Sequence, residues 1–537
     1  MKIPKKEELL RLQAQYKTDK RIAEAVGVPE YLVTYWRRKK RIPEYSLPKY
    51  SEKIIRNLWE TYGNDRDAGK ELSISKAAFY KWRRRYGIVE KPKVLKFPQL
   101  ELQLPKSGSK VIKGGSQTIA QKMLALKAMK SKTEVTEIVE LEPDLVMSHD
   151  NAGLVIKQFK QIGVERVWNP NKIVIPLDHR APAESEKTAE AHKSIREFVK
   201  EQNIENFYDI KEGICHEVVV DKGHVLPGQL ALGTDSHTTS YGCVAACSTG
   251  IGATEMAAVW ATGKIWLKVP DSIKITVKGK LPSGVFAKDV ILHIIGKLTS
   301  EGASYKSVEF YGDTVDSMSI SERFTLCNLS MEMGAKFAVV PFDKTTKKFL
   351  NGIKKKRYVP IWADENATYE NEHEFDVKTL APQIACPHSV DNVKPVDDLK
   401  GIHIDQVVLG SCTNGRLDDL EIAAGILKGK KVHPDVRMLV LPCSREIYLE
   451  AMKKGIIKVF LQAHCVVLNP GCGPCLGAHE GILAKGERCL ATTNRNFKGR
   501  MGSTESEVYL ASPATAAASA IKGEITDPRE FLKKIWR

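Results

Sequence analysis

Between Asn469 and Gly481 the chain reads NPGCGPCLGAHEG, which sets Cys472 and Cys475 in a stretch too rich in Gly and Pro for a helix or a central strand. Taken alone, two thiols at this spacing fit a redox pair, half of a zinc site or simply buried cysteines. Cys412, which follows an apolar run in VVLGSCTNGRLDDL, is a candidate third ligand. Three further segments put imidazole near carboxylate: PLDHR with Asp178 and His179, GICHE with His216, and GTDSHTTSYG with Asp235, Ser236 and His237. An imidazole can pass a proton near neutrality when a carboxylate orients it. One histidine beside an apolar strand is ordinarily structural, but three of them are better explained by one site. In FTLCNLSMEMGAK, Asn328 and Glu332 are four apart and share a face if that segment is helical. TTNRNFKGRMGS adds Asn494, Arg495 and Arg500, and a guanidinium fork suits bidentate binding of a carboxylate.

These residues must be held by something regular. From Gln117 onward, β-branched apolar runs such as KIVIPLDH, LALGTDSH, QVVLGSC and AHCVVLNPG alternate with helical patterns, and each run ends in a polar residue. That is the pattern of doubly wound α/β domains, whose ligands bind beyond the carboxyl ends of parallel strands. Eleven cysteines in 537 residues do not resemble the even staples of a small secreted domain. They read as thiols of a reducing compartment, the eight others, Cys443 and Cys465 among them, as core residues. No run approaches the roughly 18 apolar residues of a membrane span, so a cytoplasmic protein without membrane contact is expected.

The formal charge of +17 is concentrated at one end: residues 1–100 hold 25 Lys and Arg against 12 Asp and Glu. This segment repeats itself at an offset of 46, matching Leu12 to Leu58, Tyr16 to Tyr62, WRR at Trp36 to WRR at Trp82, and Ile42 to Ile88. Each copy reads as three short helices, over 5–16, 19–26 and 30–40 and then over 51–62, 65–72 and 75–85. The result is a duplicated all-α helix-turn-helix-like module at 1–90, followed by a linker at 91–116. The third helix of each copy ends in a positive run, so Arg37, Arg38, Arg83 and Arg84 are expected to meet nucleic-acid phosphates. A docking role for the module is the alternative.

GSCTNGRLDDL, NPGCGPCLG and GERCLATTNRNFKGRMGS, in this order, resemble the aconitase superfamily, above all the large subunits of isopropylmalate dehydratase and homoaconitase. The resemblance covers about Gln117 to Arg537. It implies three doubly wound α/β domains, at 117–270, 271–395 and 396–537, around a [4Fe-4S] cluster bound by Cys412, Cys472 and Cys475. Three thiolates leave one iron open as a Lewis acid for a substrate hydroxyl and carboxylate. The resemblance makes Asp178 and His179 the proton donors, gives His216, Asp235 and His237 the hydroxyl and the displaced water, and sets Asn328, Glu332 and Asn494 beside the cluster. Ser236, Asn328, Asn494, Arg495 and Arg500 would bind substrate, and Glu332, supporting a histidine, would belong to the catalytic set. The implied activity is dehydration and rehydration of a 2-hydroxy di- or tricarboxylic acid, with isopropylmalate of leucine biosynthesis first and homoaconitase, methylmalate dehydratase or aconitase activity as alternatives. A nucleic-acid-binding iron- or redox-responsive regulator is the alternative class.

Two departures bear on these expectations. Asn151 and Ala152 in SHDNAGL stand where the family commonly has a Thr. No counterpart of the family's swivelling fourth domain, which carries a serine base, is found before Arg537, so a separate small subunit is the expected partner.

Overall fold

The computed structural model describes residues 4–16, 18–42, 52–62, 65–72, 74–88, 116–353 and 357–532. Residues 91–115 of the expected linker lie outside this set. The chain divides into two units, Met1–Lys113 and Gly114–Arg537. No helix among the described residues is long and apolar enough to cross a membrane.

In the first unit the helices are Lys6–Tyr16, Asp19–Val26 and Glu30–Lys39, then Glu52–Tyr62, Asp65–Glu71 and Lys76–Arg85. The repeat therefore appears as two copies of one three-helix pattern. Gly27, at φ +67°, ends the second helix, and the turn Gly27-Val28-Pro29 leads into the third. In the second copy Ser75 caps the third helix by accepting the Ala78 amide at 3.2 Å. Leu9, Ile22, Val33, Trp36 and Ile42 form one small core, and Ile55, Trp59, Ala68, Phe79 and Ile88 the other.

The two cores share a polar device that corrects one expectation. Arg37 is buried, paired with Asp19 at 2.9 Å, and donates to the Ile42 carbonyl at 3.1 Å. Forty-six positions on, Arg83 is buried, paired with Asp65 at 2.8 Å, and donates to the Ile88 carbonyl at 2.6 Å. Both guanidinium groups bind the second helix to the end of the third. Arg37 and Arg83 are thus internal struts and not phosphate contacts, whereas Arg38 and Arg84 are exposed.

The second unit is built on three sheets of mainly parallel strands. The first runs Phe207–Tyr208, Ile173–Pro176, Leu145–Met147, Leu230–Gly233, Cys247–Gly250, all parallel. The second runs Phe337–Val339, Ser307–Tyr311, Ser272–Lys278, Asn371–Asp376, also parallel. The third has a parallel block, Glu507–Leu510, Arg488–Ala491, Gln406–Gly410, Arg437–Leu441, Val466–Val467. Gln383–Ala385 and Val393–Pro395 extend it antiparallel at one edge. Those two strands fall inside the range expected for the second domain, but pairing to Glu507–Leu510 carries them into the third sheet.

Continuous apolar runs explain the central strands. LVM, IVIP, LALG and QVVLG are buried along their whole length, because helices cover both sheet faces. In the first sheet the chain leaves Leu145–Met147 to one side, then returns to its other side at Leu230–Gly233; in the third, Gln406–Gly410 lies between Arg437–Leu441 and Arg488–Ala491 in the same way. Each is a topological switch point, where the loops beyond the strand ends diverge and leave a crevice.

Removing either inward arginine should unfold its own copy alone. Breaking a buried pair from one side costs about 3–5 kcal/mol, more than a small three-helix core can spare. Arg37→Ala in the full chain is expected to abolish amide-exchange protection over 4–42 while leaving 116–532 unchanged, and Arg83→Ala to do so over 52–88.

Candidate active site

Cys412 lies in the short helix Ser411–Asn414 that follows the strand Gln406–Gly410. The backbone there needs Gly410: at φ +133°, a Cβ would stand 2.1 Å from the Leu441 carbonyl oxygen. Cys472 and Cys475 lie beyond Val466–Val467, and Gly477 at φ +69° lets their loop close on Arg500, whose carbonyl oxygen a Cβ would meet at 2.5 Å. The Cys472 amide donates to the Asp178 carbonyl at 3.0 Å, which ties this loop to the first sheet.

All three cysteines are buried. Asn328 and Asn494 each donate a side-chain amide to Cys412 Sγ at 3.4 Å, Cys475 Sγ lies 3.5 Å from Asn494 Oδ1, and Arg500 Nη2 lies 4.0 Å from Cys475 Sγ. Burial first, then Cys472 and Cys475, push the Cys412 thiol well up. The three sulfurs are therefore electrostatic neighbours, and burial pushes the Cys472 thiol up to about 12 as well; a bound metal displaces thiol protons. N–H donors aimed at sulfur fit an iron-sulfur cradle. Three thiolates on one zinc would stand about 4 Å apart. Among the described residues the group whose ligand atoms all lie within 4.8 Å of one another is instead His149, Asp150, Asp178 and His179.

That second group is held by its own hydrogen bonds. Asp150 accepts the amides of Asp178, His179 and Arg180 at 2.9, 2.8 and 3.2 Å and pairs with His192 Nε2 at 2.8 Å. Burial opposes its ionisation, yet His192 and the neighbouring histidines hold its carboxyl far below the usual range. Asp178 accepts the Cys215 amide at 2.7 Å and lies 2.8 Å from His179 Nδ1. His179 Nε2 faces Asp235 at 3.4 Å, and its ring stacks on His149 at 3.8 Å. Burial alone would lower His179, but Asp178, Cys472 and Asp235 raise it well above its ordinary value. Burial, reinforced by His179, pushes His149 down to about 4, so it is neutral at pH 7.

Asp235 is the hub. It lies 2.8 Å from His216 Nε2, accepts the His237 amide at 2.7 Å, and faces His179. Burial raises it, yet the three imidazoles keep it well below the usual carboxylate range. His237 Nε2 meets Glu332 at 2.9 Å; Arg495 donates to Glu332 at 2.8 Å and to Ser236 Oγ at 3.0 Å. Every sequence-predicted residue of the second unit thus joins one network or touches one of its thiols. Asn328 and Glu332 do not share a single helix, because Ile320–Leu329 ends and a 3-10 turn, Ser330–Met333, carries the glutamate.

Comparison with known proteins follows from this geometry. The sequence profile of the aconitase family (aconitate hydratase) matches residues 118–401 and 392–523. The chain belongs to the aconitase family. Membership makes it a hydro-lyase and implies an iron-sulfur cluster. It is 51% identical over 416 residues to the 3-isopropylmalate dehydratase large subunit 1 of Methanopyrus kandleri, covering 77% of this chain and 99% of the relative. It is 53% identical over 389 residues to a protein of Methanosarcina mazei named probable methanogen homoaconitase large subunit, covering 72% and 99%. Among solved structures it is similar to the holo form of Thermococcus kodakaraensis aconitase X, with a TM-score of 0.39 and 11% identity over 66% of this chain and 84% of that one.

Sequence reasoning missed three residues of this aconitase-family site. His149 and Asp150 follow the strand Leu145–Met147, the same signal that marked the other strand-end pairs, in a segment weighed only for Asn151 and Ala152. Asn151 is exposed and Ala152 begins the helix Ala152–Ile162. The third is Lys288, buried at the start of Ala287–Leu298, which donates to the carbonyls of Thr492 and Thr493 at 2.9 and 2.6 Å. Burial lowers it to about 7. A lysine beside Asp289 carried no signal, since its partners are main-chain atoms two hundred residues away.

Asp150 should matter through the backbone it holds. Hydrogen bonds to a charged group are worth about 1.5–3 kcal/mol, so Asp150→Ala is expected to speed amide exchange at 178–180 on the order of 10- to 100-fold. Unchanged exchange there would show that the loop is held by other contacts.

Proposed function

We propose that this chain is the large subunit of a [4Fe-4S] hydro-lyase that moves a hydroxyl between neighbouring carbons of a 2-hydroxy polycarboxylic acid, with 2-isopropylmalate to 3-isopropylmalate as the first substrate pair. The observation that carries this is the Asp178–His179–Asp235 chain of polar contacts running beside the cysteine loops. Cys412, Cys472 and Cys475 would hold the cluster, and a site with three thiolates supplies one open iron as a Lewis acid toward the substrate hydroxyl and carboxylate.

The remaining work falls to side chains. Asp178 fixes the His179 ring through Nδ1, so that His179 can hand a proton to the departing hydroxyl and retrieve it on rehydration. His216 and His237, both fixed by Asp235, suit a departing and returning water. Arg495 presents its guanidinium beside Ser236, and Arg500 has a buried Nε with no hydrogen-bond partner among the described residues. A substrate carboxylate would satisfy that donor through a bidentate contact.

The large-subunit names of the relatives support a separate small subunit as partner, which would bring the base for the carbon-bound proton and the loop that reads the variable substituent. The likeness to a homoaconitase large subunit favours homocitrate-type acids as the second reading. Eleven free, buried cysteines suit a reducing, cytoplasmic setting.

The test is reconstitution with the small subunit of the same organism under anaerobic conditions, an assay across isopropylmalate, homocitrate, methylmalate and citrate, and Mössbauer spectroscopy of the large subunit. Isopropylmalate turnover and a cluster with one labile iron are expected; stoichiometric zinc would sink the proposal. His179→Ala should lower kcat about 10²- to 10⁴-fold with the cluster spectrum intact. Loss of the cluster in that variant would make His179 a structural residue.

A further inference from the structure

The hydro-lyase reading leaves the first unit without a role, and its surface has a consistent chemistry. Few residues separate the second and third helices of each copy: the turn Gly27 to Pro29 in the first, and the four sequence positions between Glu71 and Lys76 in the second. A turn of three or four residues between two such helices is the connection of a helix-turn-helix, whose second helix of the pair enters the major groove. In both copies that helix is ten residues long.

The burial pattern separates its two faces. Val33, Trp36 and Arg37 point inward in the first copy, and Phe79 and Arg83 in the second. Tyr31, Tyr35, Arg38 and Lys39 are exposed in the first copy, and Lys81, Arg84 and Arg85 in the second. Positions 31, 35 and 38 recur at helical spacing, so they form one stripe. Arg41 adds a further exposed cation just beyond Glu30–Lys39.

An ordinary solvated helix mixes signs along such a stripe. Here Asp19 is taken by Arg37 and Asp65 by Arg83, and Glu30 is the single acid on the two helices. Among the described residues no ion pair engages Arg38, Lys39, Arg41, Lys81, Arg84 or Arg85. The inward arginine of each copy therefore fixes the docking helix and at the same time leaves its outward cations unneutralised.

We propose that residues 4–88 are a duplex-DNA-docking module, in which Arg38, Lys39, Arg41, Lys81, Arg84 and Arg85 contact backbone phosphates while Tyr31 and Tyr35 face the groove. Six phosphate contacts predict a slope of roughly −5 in log affinity against log salt, hence about 1,000-fold weaker binding at 200 mM than at 50 mM salt. Affinity is set by phosphates and is little affected by sequence.

The test uses the full chain and fluorescence anisotropy with a 20-base-pair DNA duplex and a single-stranded RNA of equal length, titrated over 50–200 mM salt. R38E/K39E/R84E/R85E is compared with K157E/K160E/K347E/K348E, which makes the same charge change at exposed lysines of the second unit. Amide exchange over 4–88 verifies that each variant is folded. The docking variant should lose duplex affinity on the order of 100-fold and the other variant less than tenfold. No duplex binding at 50 mM salt, tighter binding of the RNA, or equal losses in the two variants would each overturn the proposal.

Discussion

A charge buried in protein must be met by opposite charge or by directed hydrogen bonds, and Asp235 is where this chain meets that demand most fully. The carboxylate is surrounded by three imidazoles and one backbone amide. Satisfying it fixes the rings of His216 and His237 and faces His179. Satisfying His237 brings in Glu332 from the second sheet's helical layer, and satisfying Glu332 brings in Arg495 from the third sheet. One desolvated carboxylate thus links side chains from all three sheets of the unit.

The same logic explains the division between residues that line the candidate site and residues behind them. Asp150 uses its oxygens on main-chain amides and on His192 and so shapes the loop that displays His179. Lys288 uses its protons on two carbonyls at the tip of Arg488–Ala491 and so shapes the loop that displays Asn494 and Arg495. Both are titratable groups that act on backbone. Strand tips can hold the side chains of the candidate site with this accuracy only because such ties remove the freedom a loop would otherwise have.

What was legible in sequence follows from this division. Runs such as QVVLG are apolar throughout because both faces are covered, and the polar residue at each tip interrupts the run, so strands and reactive residues were marked together. The network behind them was not marked. Asp150 resembles any acid near a strand end, and Lys288 any lysine at a helix start, until their partners are known from the fold. The strands Gln383–Ala385 and Val393–Pro395 were likewise invisible as members of the third sheet, because pairing with Glu507–Leu510 is a long-range choice. In the basic segment the repeat and its helices were plain, but a run of arginines does not say which one turns inward. Only the position of Asp19 and Asp65 across the core settles that.

The duplicated ion pair also records what may and may not drift after a segment is copied. Asp19 with Arg37 and Asp65 with Arg83 are the same solution twice, down to the carbonyl each guanidinium reaches, since changing one partner alone would strand a charge in a core too small to tolerate it. The outward positions have no such restraint: Glu30, Tyr31 and Tyr35 answer to Lys76, Ala77 and Lys81. The two copies are therefore one chassis bearing two different faces, and any discrimination the pair exerts must reside in the positions where they have ceased to be alike.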